Sequence, residues 1–115
     1  MNIDETVSGL ILELRRGTLI LLVLSQLRKP MYGYSLVKKL NDSQIPIDPN
    51  TLYPLMRRLE GQGLLKSEWE TSGTKPRKYY QITEEGKAVC ARMEQAWRET
   101  VINMESFLKR EDEEK

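Results

Sequence analysis

The sequence predicts a mainly α-helical domain with one small β-hairpin, an α+β fold. The prediction depends on two observations. Apolar residues recur at helical spacing over most of the chain, whereas residues 65–70 and 77–83 alternate with the two-residue period of β-strands. The turn-rich segment TSGTKP joins these two stretches, as expected for a hairpin. With 115 residues, the chain has the size of one domain.

The first part of the chain predicts three helices. Residues 4–15 have an amphipathic helical pattern, Gly17 and Thr18 interrupt it, and the almost entirely apolar residues 19–27 follow as a buried helix. Residues 31–41 predict a short third helix, because their apolar residues fall on one face and their lysines on the other.

The second part predicts a fourth helix, the hairpin and a long last helix. Residues 42–48, DSQIPID, are expected to form a loop in which residues 45–47 can pair briefly as an edge strand, and Asp48 is placed to cap a helix that runs to about residue 62. Thr83 is placed to cap the last helix, which runs to about residue 110. Compact helices followed by a two-stranded hairpin are typical of a winged helix-turn-helix.

This arrangement divides the chain into three parts. Residues 1–82 are expected to form the winged helix-turn-helix domain with its N-terminal helix, and residues 83–110 a dimerisation helix. The charged residues 111–115, EDEEK, are expected to form a disordered tail, because chain ends of this composition fray.

The residue inventory argues against catalysis. The chain has no histidine and one cysteine, which excludes an internal disulfide and a histidine-assisted nucleophile and leaves no Cys/His zinc site. A hydrolase that uses carboxylates is the weakest alternative, since no cleft or phosphate-loop signature accompanies the acidic residues. We therefore expect no enzymatic activity, no metal and no cofactor. The longest apolar run is too short for a membrane span and the N-terminus is acidic, so a cytoplasmic protein is expected.

Basic residues are concentrated in the middle of the chain. Residues 28–87 carry eleven Lys or Arg against seven Asp or Glu, although the whole chain has a net charge of +1. In the helix predicted for residues 48–62, one stripe is apolar, and Arg and Asn on the other face are suited to guanine and adenine in the DNA major groove. That face carries Asn50, Tyr53, Pro54, Arg57 and Arg58. For this helix alone, a solvated surface is an equally good interpretation.

The predicted hairpin tip favours DNA binding. Lys75, Arg77 and Lys78 lie at a turn that contains proline and glycine and no acidic residue. Such a tip can follow the sugar-phosphate backbone or enter the minor groove. A solubilising loop is the alternative, but a basic tip after a basic helix is less expected by chance than either feature alone.

Four stretches of the sequence, TLYPLMRRLEGQGLL, KPRKYYQITEEG, GTLILLVLSQL and MYGYSL, resemble the PadR family of winged-helix transcriptional regulators, and specifically its short-tailed, multidrug-sensing branch. The resemblance covers about residues 14–87. It implies a homodimeric transcriptional regulator, usually a repressor, that binds a palindromic operator in double-stranded DNA and is released by a small molecule.

The resemblance also implies which residues contact DNA. The recognition-helix pattern falls within residues 51–63 and the wing pattern within residues 75–80, and residues 32–34 match an element that opens the preceding helix. Helix N-termini favour phosphate, so Tyr34 and Ser35 are expected at the DNA backbone. Either Tyr79 or Tyr80 must face inward, since neighbouring strand residues point to opposite faces. The expected DNA-binding residues are Tyr34, Ser35, Lys38, Asn50, Thr51, Tyr53, Pro54, Arg57, Arg58, Lys75, Arg77 and Lys78.

Apolar residues on the last helix follow an alternating three- and four-residue spacing that predicts a dimer seam. A single small domain lacks the surface to cover this seam. We expect the first and last helices to form a two-fold dimer whose recognition helices reach successive major grooves, about 34 Å apart. The expected interface comprises Val7, Ile11, Val89, Cys90, Met93, Trp97, Val101, Met104, Phe107 and Leu108.

The resemblance further implies an effector site at Trp97, because the multidrug-sensing branch sandwiches flat aromatic ligands with a tryptophan in this region. Leu10, Leu14 and Met93 are its expected companions around a planar aromatic molecule. An ordinary interface tryptophan is the alternative, and Cys90 is either a redox switch or a buried inert thiol. The alternative function is a winged-helix module that never binds DNA and instead binds a ligand or a protein through the apolar seam around Trp97.

Overall fold

The structure, a computed structural model, describes residues 2–113, with side chains to residue 109. Within these residues, four helices surround a three-stranded antiparallel sheet, which confirms the mainly α-helical α+β fold. The helices are α1 (Ile3–Gln26), α2 (Gly33–Asp42), α3 (Pro49–Gly61) and α4 (Glu84–Glu113). The strands are β1 (Met31–Tyr32), β2 (Leu65–Glu70) and β3 (Arg77–Ile82).

The first helix is continuous, so the predicted interruption at Gly17 and Thr18 is wrong. The Asn2 side chain caps α1 by accepting a hydrogen bond from the Glu5 N–H at 3.2 Å. Thr18 stays helical, and its hydroxyl donates to the Arg15 carbonyl at 2.9 Å. A glycine inside a helix costs only about 1 kcal/mol relative to alanine, which the burial of one leucine in the second half of α1 offsets.

The sheet contains a strand that the sequence did not predict. Met31 and Tyr32, expected in a helix, form β1 and pair with Tyr80 and Tyr79 of β3, which gives the strand order β1-β3-β2. The strand expected at residues 45–47 does not form. Pro46 has no N–H to donate, and the Ile47 N–H is taken by the Asn41 side-chain oxygen at 3.1 Å.

The core lies between the second half of α1, the inner faces of α2 and α3, and one face of the sheet. It contains the stripe predicted for α3, and Tyr80 is the strand tyrosine that faces inward. No buried polar or charged residue occurs in the part of the chain that the structure describes. The buried residues are Val23, Leu24, Leu27, Leu36, Leu40, Leu52, Met56, Leu59, Leu65, Tyr80, Ile82 and Cys90.

The start of α4 is fixed to the core by backbone contacts. The Thr83 N–H donates to the Leu64 carbonyl at 3.1 Å, and the Thr83 hydroxyl accepts from the Gly86 N–H at 2.9 Å, so the predicted cap is confirmed. A Cβ at Gly86 would lie 2.1 Å from the Leu64 carbonyl oxygen. Only glycine therefore lets α4 pass this close to the backbone that leads from α3 into β2.

The two long helices extend away from the core. With 30 residues, α4 is about 45 Å long at about 1.5 Å per residue. The radius of gyration is 17.4 Å, whereas a compact domain of this length has a radius of about 13 Å. Because α4 continues to Glu113, residues 111–113 of the expected tail are helical, and residues 114–115 lie outside the described residues.

Candidate nucleic-acid interface

The outer face of α3 is fully presented to solvent. The Asp48 carboxylate accepts a hydrogen bond from the Asn50 N–H at 2.8 Å, and Pro49 occupies the first turn, so the predicted cap is confirmed. The buried stripe on the opposite face fixes the rotation of α3 about its axis. Five of the predicted DNA-binding residues are exposed along this outer face: Asn50, Thr51, Pro54, Arg57 and Arg58.

Arg57 and Arg58 form no ion pair within the part of the chain that the structure describes. Other cations are paired, since Lys87 lies 3.1 Å from Glu84 and Arg98 lies 3.4 Å from Glu94. The guanidinium groups on α3 therefore keep their N–H donors available. Arginine uses these donors in pairs, which suits the O6 and N7 atoms of guanine or a phosphate.

Tyr53 does not lie on this outer face, contrary to the prediction. Its side chain is half-buried and packs against α2 at Gly33. The contact is so close that a Cβ at Gly33 would lie 2.6 Å from the Tyr53 Cε1 atom. Tyr53 follows Leu52 by one residue and precedes Met56 by three, so it lies at the edge of the apolar stripe. The absence of a side chain at Gly33 is thus what allows α2 and α3 to approach.

The inner face of the hairpin is attached to α3 through Lys78. The Lys78 ammonium lies 3.4 Å from a carboxylate oxygen of Glu60, and the Ser67 hydroxyl donates to the other oxygen of that carboxylate. Lys78 also lies 5.3 Å from the Tyr80 ring centroid. The prediction that Lys78 belongs to a free basic tip is therefore wrong, because strand alternation turns its side chain towards α3.

The outer face of the hairpin carries Arg77 beside a group of tyrosines. Arg77 lies over the rings of Tyr32 and Tyr34, at 5.5 Å and 5.8 Å from their centroids. The Tyr79 hydroxyl donates to the Glu68 carboxylate at 3.1 Å, which raises the pKa of Tyr79. The sequence did not predict this grouping, because it depends on β1, which places Tyr32 opposite Tyr79.

Strand pairing also brings acidic residues next to the basic tip. Glu70 lies opposite Arg77 in the sheet, yet its carboxylate accepts hydrogen bonds from the Ser72 hydroxyl and from the Ser72 N–H, the latter at 2.9 Å. These hydrogen bonds lower the pKa of Glu70. Lys75 remains exposed at the tip. The wing is consequently less basic than the segment TSGTKPRK indicates by itself.

The start of α2 lies beside this hairpin face. Tyr34 is 53% exposed, Ser35 is half-buried, and Lys38 is exposed one turn later. No side chain among the described residues caps the first turn of α2, which leaves its first backbone N–H groups without a side-chain acceptor. The predicted contacts lie on α2, α3 and the wing, and α2 packs against both α3 and β3.

A sequence model of the PadR-like family of transcriptional regulators matches residues 20–92. This chain belongs to that family. A PadR family transcriptional regulator from Eggerthella lenta is 58% identical, with a TM-score of 0.88, and the match covers 92% of this chain and 95% of that one.

Two further relatives match over shorter stretches. Bacillus subtilis PadR, whose structure was solved in complex with operator DNA, has a TM-score of 0.62 at 25% identity, over 69% of this chain and 47% of that one. A transcriptional regulator from Mycobacterium tuberculosis is 36% identical over 58 residues, or 50% of this chain and 54% of that protein. The chain thus spans about half the length of these two relatives.

The predicted dimer residues of this PadR-like regulator fall into two groups. Cys90 is buried in the core of its own chain, which leaves its side chain no surface for an interface between chains, whereas Val89 and Met93 are half-buried against the same core. Burial also raises the pKa of the Cys90 thiol, as expected for an inert thiol. The remaining predicted interface residues are exposed: Val7, Ile11, Trp97, Val101, Met104, Phe107 and Leu108.

Trp97 lines a groove of about 730 Å³ between α1, the loop after α2, and α4. The predicted companions Leu10, Leu14 and Met93 do not line it, since Leu10 and Leu14 lie on another stripe of α1 and Met93 packs inward. Other apolar side chains surround the tryptophan, among them Leu12, Leu19, Leu22, Ile45 and Ile47. Within residues 2–113, the structure contains no helix suited to crossing a membrane.

Proposed function

We propose that this PadR-like regulator binds operator DNA as a homodimer, represses transcription, and is released by a small-molecule effector. The unpaired, exposed arginines Arg57 and Arg58 on α3 carry the proposal, since α3 holds them on one rigid face. The operator complex of Bacillus subtilis PadR supports DNA as the partner. A regulator of this kind would act in the cytoplasm.

Dimerisation would cover apolar surface that one chain leaves exposed. Leu10 and Leu14 on α1 are 61% and 75% exposed, and Met104 and Leu108 on α4 are 53% and 54% exposed. Each buried side chain of this kind contributes about 1.5–3 kcal/mol. A two-fold pairing of these helices would place two copies of α3 for successive major grooves, about 34 Å apart.

The groove at Trp97 supports an effector site that acts on α3. Its walls include Trp97 on α4 as well as Asp48 and Thr51 at the start of α3. A planar aromatic molecule would stack on the tryptophan ring and contact the first turn of α3. Displacement of that turn would move Arg57 and Arg58 and so weaken DNA binding.

The DNA proposal is tested by fluorescence-anisotropy titration of a labelled duplex from upstream of the protein's own gene, against a scrambled duplex. We expect log affinity to fall linearly with log salt concentration, because phosphate contacts release counterions. The substitution Arg57→Gln should weaken specific binding by about 1–3 kcal/mol and reduce discrimination between the two duplexes.

A matched control is Lys87→Gln, which removes one positive charge at a lysine already paired with Glu84. It should leave the discrimination unchanged. If wild-type protein binds neither duplex in dilute buffer, or if Arg57→Gln retains full discrimination, the assignment of α3 as the recognition helix is wrong. Sedimentation velocity of the same samples measures the proposed dimer.

A further inference from the structure

Arg77 and three tyrosines form a cluster where the wing meets α2, which we call the tyrosine platform: Tyr32, Tyr34 and Tyr79. The rings of Tyr32 and Tyr34 stack with centroids 6.1 Å apart and an interplanar angle of 14°. Tyr79 meets Tyr32 edge-on at 5.8 Å. The Arg77 guanidinium lies within 6 Å of both stacked rings. A cation at this distance from an aromatic face is attracted by the ring quadrupole.

The platform joins two elements that would otherwise move separately. Tyr34 belongs to α2, Tyr32 belongs to β1, and Arg77 begins β3. Pairing of Tyr32 with Tyr79 fixes the distance between the start of α2 and the wing. An arginine on a hairpin edge normally samples many rotamers, and contact with two rings would restrict that freedom before any ligand binds.

The acidic neighbours of Arg77 are engaged elsewhere. Glu70, directly across the sheet, accepts hydrogen bonds from Ser72, and Glu68 accepts the hydrogen bond of Tyr79. Arg77 forms no ion pair with any residue that the structure describes. The Arg77 guanidinium therefore has no ion-pair partner among these residues and keeps its N–H donors available, although Glu68 and Glu70 stay charged and lower the positive potential around it.

We propose that Tyr32 and Tyr34 are positioning residues that hold Arg77 to bind a phosphate of the DNA backbone at the junction of α2 and the wing. This assignment rests on the proposed DNA-binding function. Arg77 makes the contact, and the two tyrosines raise affinity by ordering it in advance. Phosphate is the expected ligand because a planar guanidinium binds its oxygens in pairs.

Tyr34 is the residue to change, because it is 53% exposed and its replacement leaves the core intact. Tyr34→Phe keeps the ring and loses the hydroxyl, whereas Tyr34→Leu loses the ring. If the Tyr34 hydroxyl contacts DNA directly, both variants should bind DNA more weakly than wild type. If the Tyr34 ring instead positions Arg77, only Tyr34→Leu should bind more weakly.

The first measurement uses the free protein and requires no DNA. Nitrogen-15 relaxation of the Arg77 Nε–H group reports its order parameter on the picosecond-to-nanosecond timescale. We expect the order parameter to fall in Tyr34→Leu and to stay at the wild-type value in Tyr34→Phe. An unchanged value in Tyr34→Leu would show that the ring does not order Arg77, and would overturn the proposal whether or not the protein binds DNA.

The second measurement is a double-mutant cycle in DNA affinity. Arg77→Gln should reduce the slope of log affinity against log salt by about 0.9 for each protomer, which is about 1.8 for the proposed dimer, and Lys87→Gln should leave the slope unchanged. Tyr34→Leu should weaken binding about two- to fivefold in the wild-type background and have no further effect combined with Arg77→Gln. Thermal melting confirms that each variant is folded. Arg77→Lys keeps the charge without the planar group, so in that background Tyr34→Leu should likewise have no further effect on DNA affinity.

Three outcomes would overturn the proposal. An unchanged salt slope in Arg77→Gln would exclude a phosphate contact by Arg77. Equal losses of DNA affinity in Tyr34→Phe and Tyr34→Leu would show that the Tyr34 hydroxyl, and not its ring, is responsible. Equal losses for Tyr34→Leu with and without Arg77 would show that Tyr34 and Arg77 act independently. If wild-type protein binds no duplex while the order parameters behave as expected, the proposed DNA-binding function has failed, and the phosphate role of Arg77 with it, although the platform is real.

Discussion

The two ends of the apolar seam on α4 differ in what covers them within one chain. Near its start, Val89, Cys90 and Met93 pack against the core of the same chain. Beyond Trp97, Met104 and Leu108 have the same helical spacing but are more than half exposed. Periodicity therefore identifies an apolar face of a helix, and only the path of the helix decides which surface covers that face.

The same contrast divides α1. Val23 and Leu24 are fully buried, whereas Leu10 and Leu14 are 61% and 75% exposed. We call residues 19–93 the head, which has a closed core, and residues 3–18 and 94–113 the arms, which have exposed apolar stripes. The difference predicts that the head determines the stability of one chain and that the arms determine its association.

Replacement of one leucine in each region tests this contrast and should give the largest effect. Leu24→Ala removes a fully buried side chain in the head and should lower the free energy of unfolding by about 2–5 kcal/mol. Leu14→Ala leaves no cavity within one chain, so at concentrations where the protein is monomeric the loss should be about 0.5 kcal/mol or less. Urea denaturation at low and high protein concentration measures both.

Association of the arms makes the urea midpoint depend on protein concentration. The midpoint of Leu14→Ala should fall below wild type only where wild type dimerises, since binding of a partner stabilises the folded state by mass action. A loss for Leu14→Ala that matches Leu24→Ala at every concentration would contradict the division into head and arms.

A glycine pair gives the next largest effect. Gly86→Ala, where α4 passes the backbone between α3 and β2, places a Cβ 2.1 Å from the Leu64 carbonyl oxygen and should lower the free energy of unfolding by about 1–3 kcal/mol. Gly17→Ala in the arm meets no atom within 4 Å and should raise it by about 0.5–1 kcal/mol, because alanine is the better helix former. Thermal denaturation of the two variants compares their stabilities, and equal effects would show that α4 does not approach the Leu64 carbonyl closely at Gly86.

The smallest effect concerns Cys90 at alkaline pH. Burial raises the pKa of Cys90 above its ordinary value of 9.0, opposed in part by Arg28. The unfolded state therefore loses the thiol proton first, and stability that is complete below the unfolded pKa falls as pH rises through the folded pKa. Urea midpoints from pH 7 upward should decline more steeply in wild type than in Cys90→Ala. Tyr79, whose pKa is also raised, contributes equally to both proteins and cancels in the comparison.

Local signals in the sequence predicted most elements of the head. Asp48 and Thr83 cap α3 and α4 as expected, because capping depends on residues within one turn of each other. The strand β1 was missed, since two residues contain no periodicity and the strand exists only through pairing with β3. The tyrosine platform was missed for the same reason, and Lys78 was assigned to the tip because the ion pair with Glu60 joins residues 18 positions apart.

The sequence by itself determined the long helical segments and the two strands of the hairpin, which faces are apolar, and that basic residues follow one another on α3 and the wing. These properties depend on neighbours within a few residues, so periodicity and capping encode them. Only the tertiary structure decided which apolar face is buried within the chain, that Lys78 pairs with Glu60, and that Arg77 lies over Tyr32 and Tyr34. Those outcomes depend on contacts between elements distant in sequence, whose relative positions are set by the packing of the whole core.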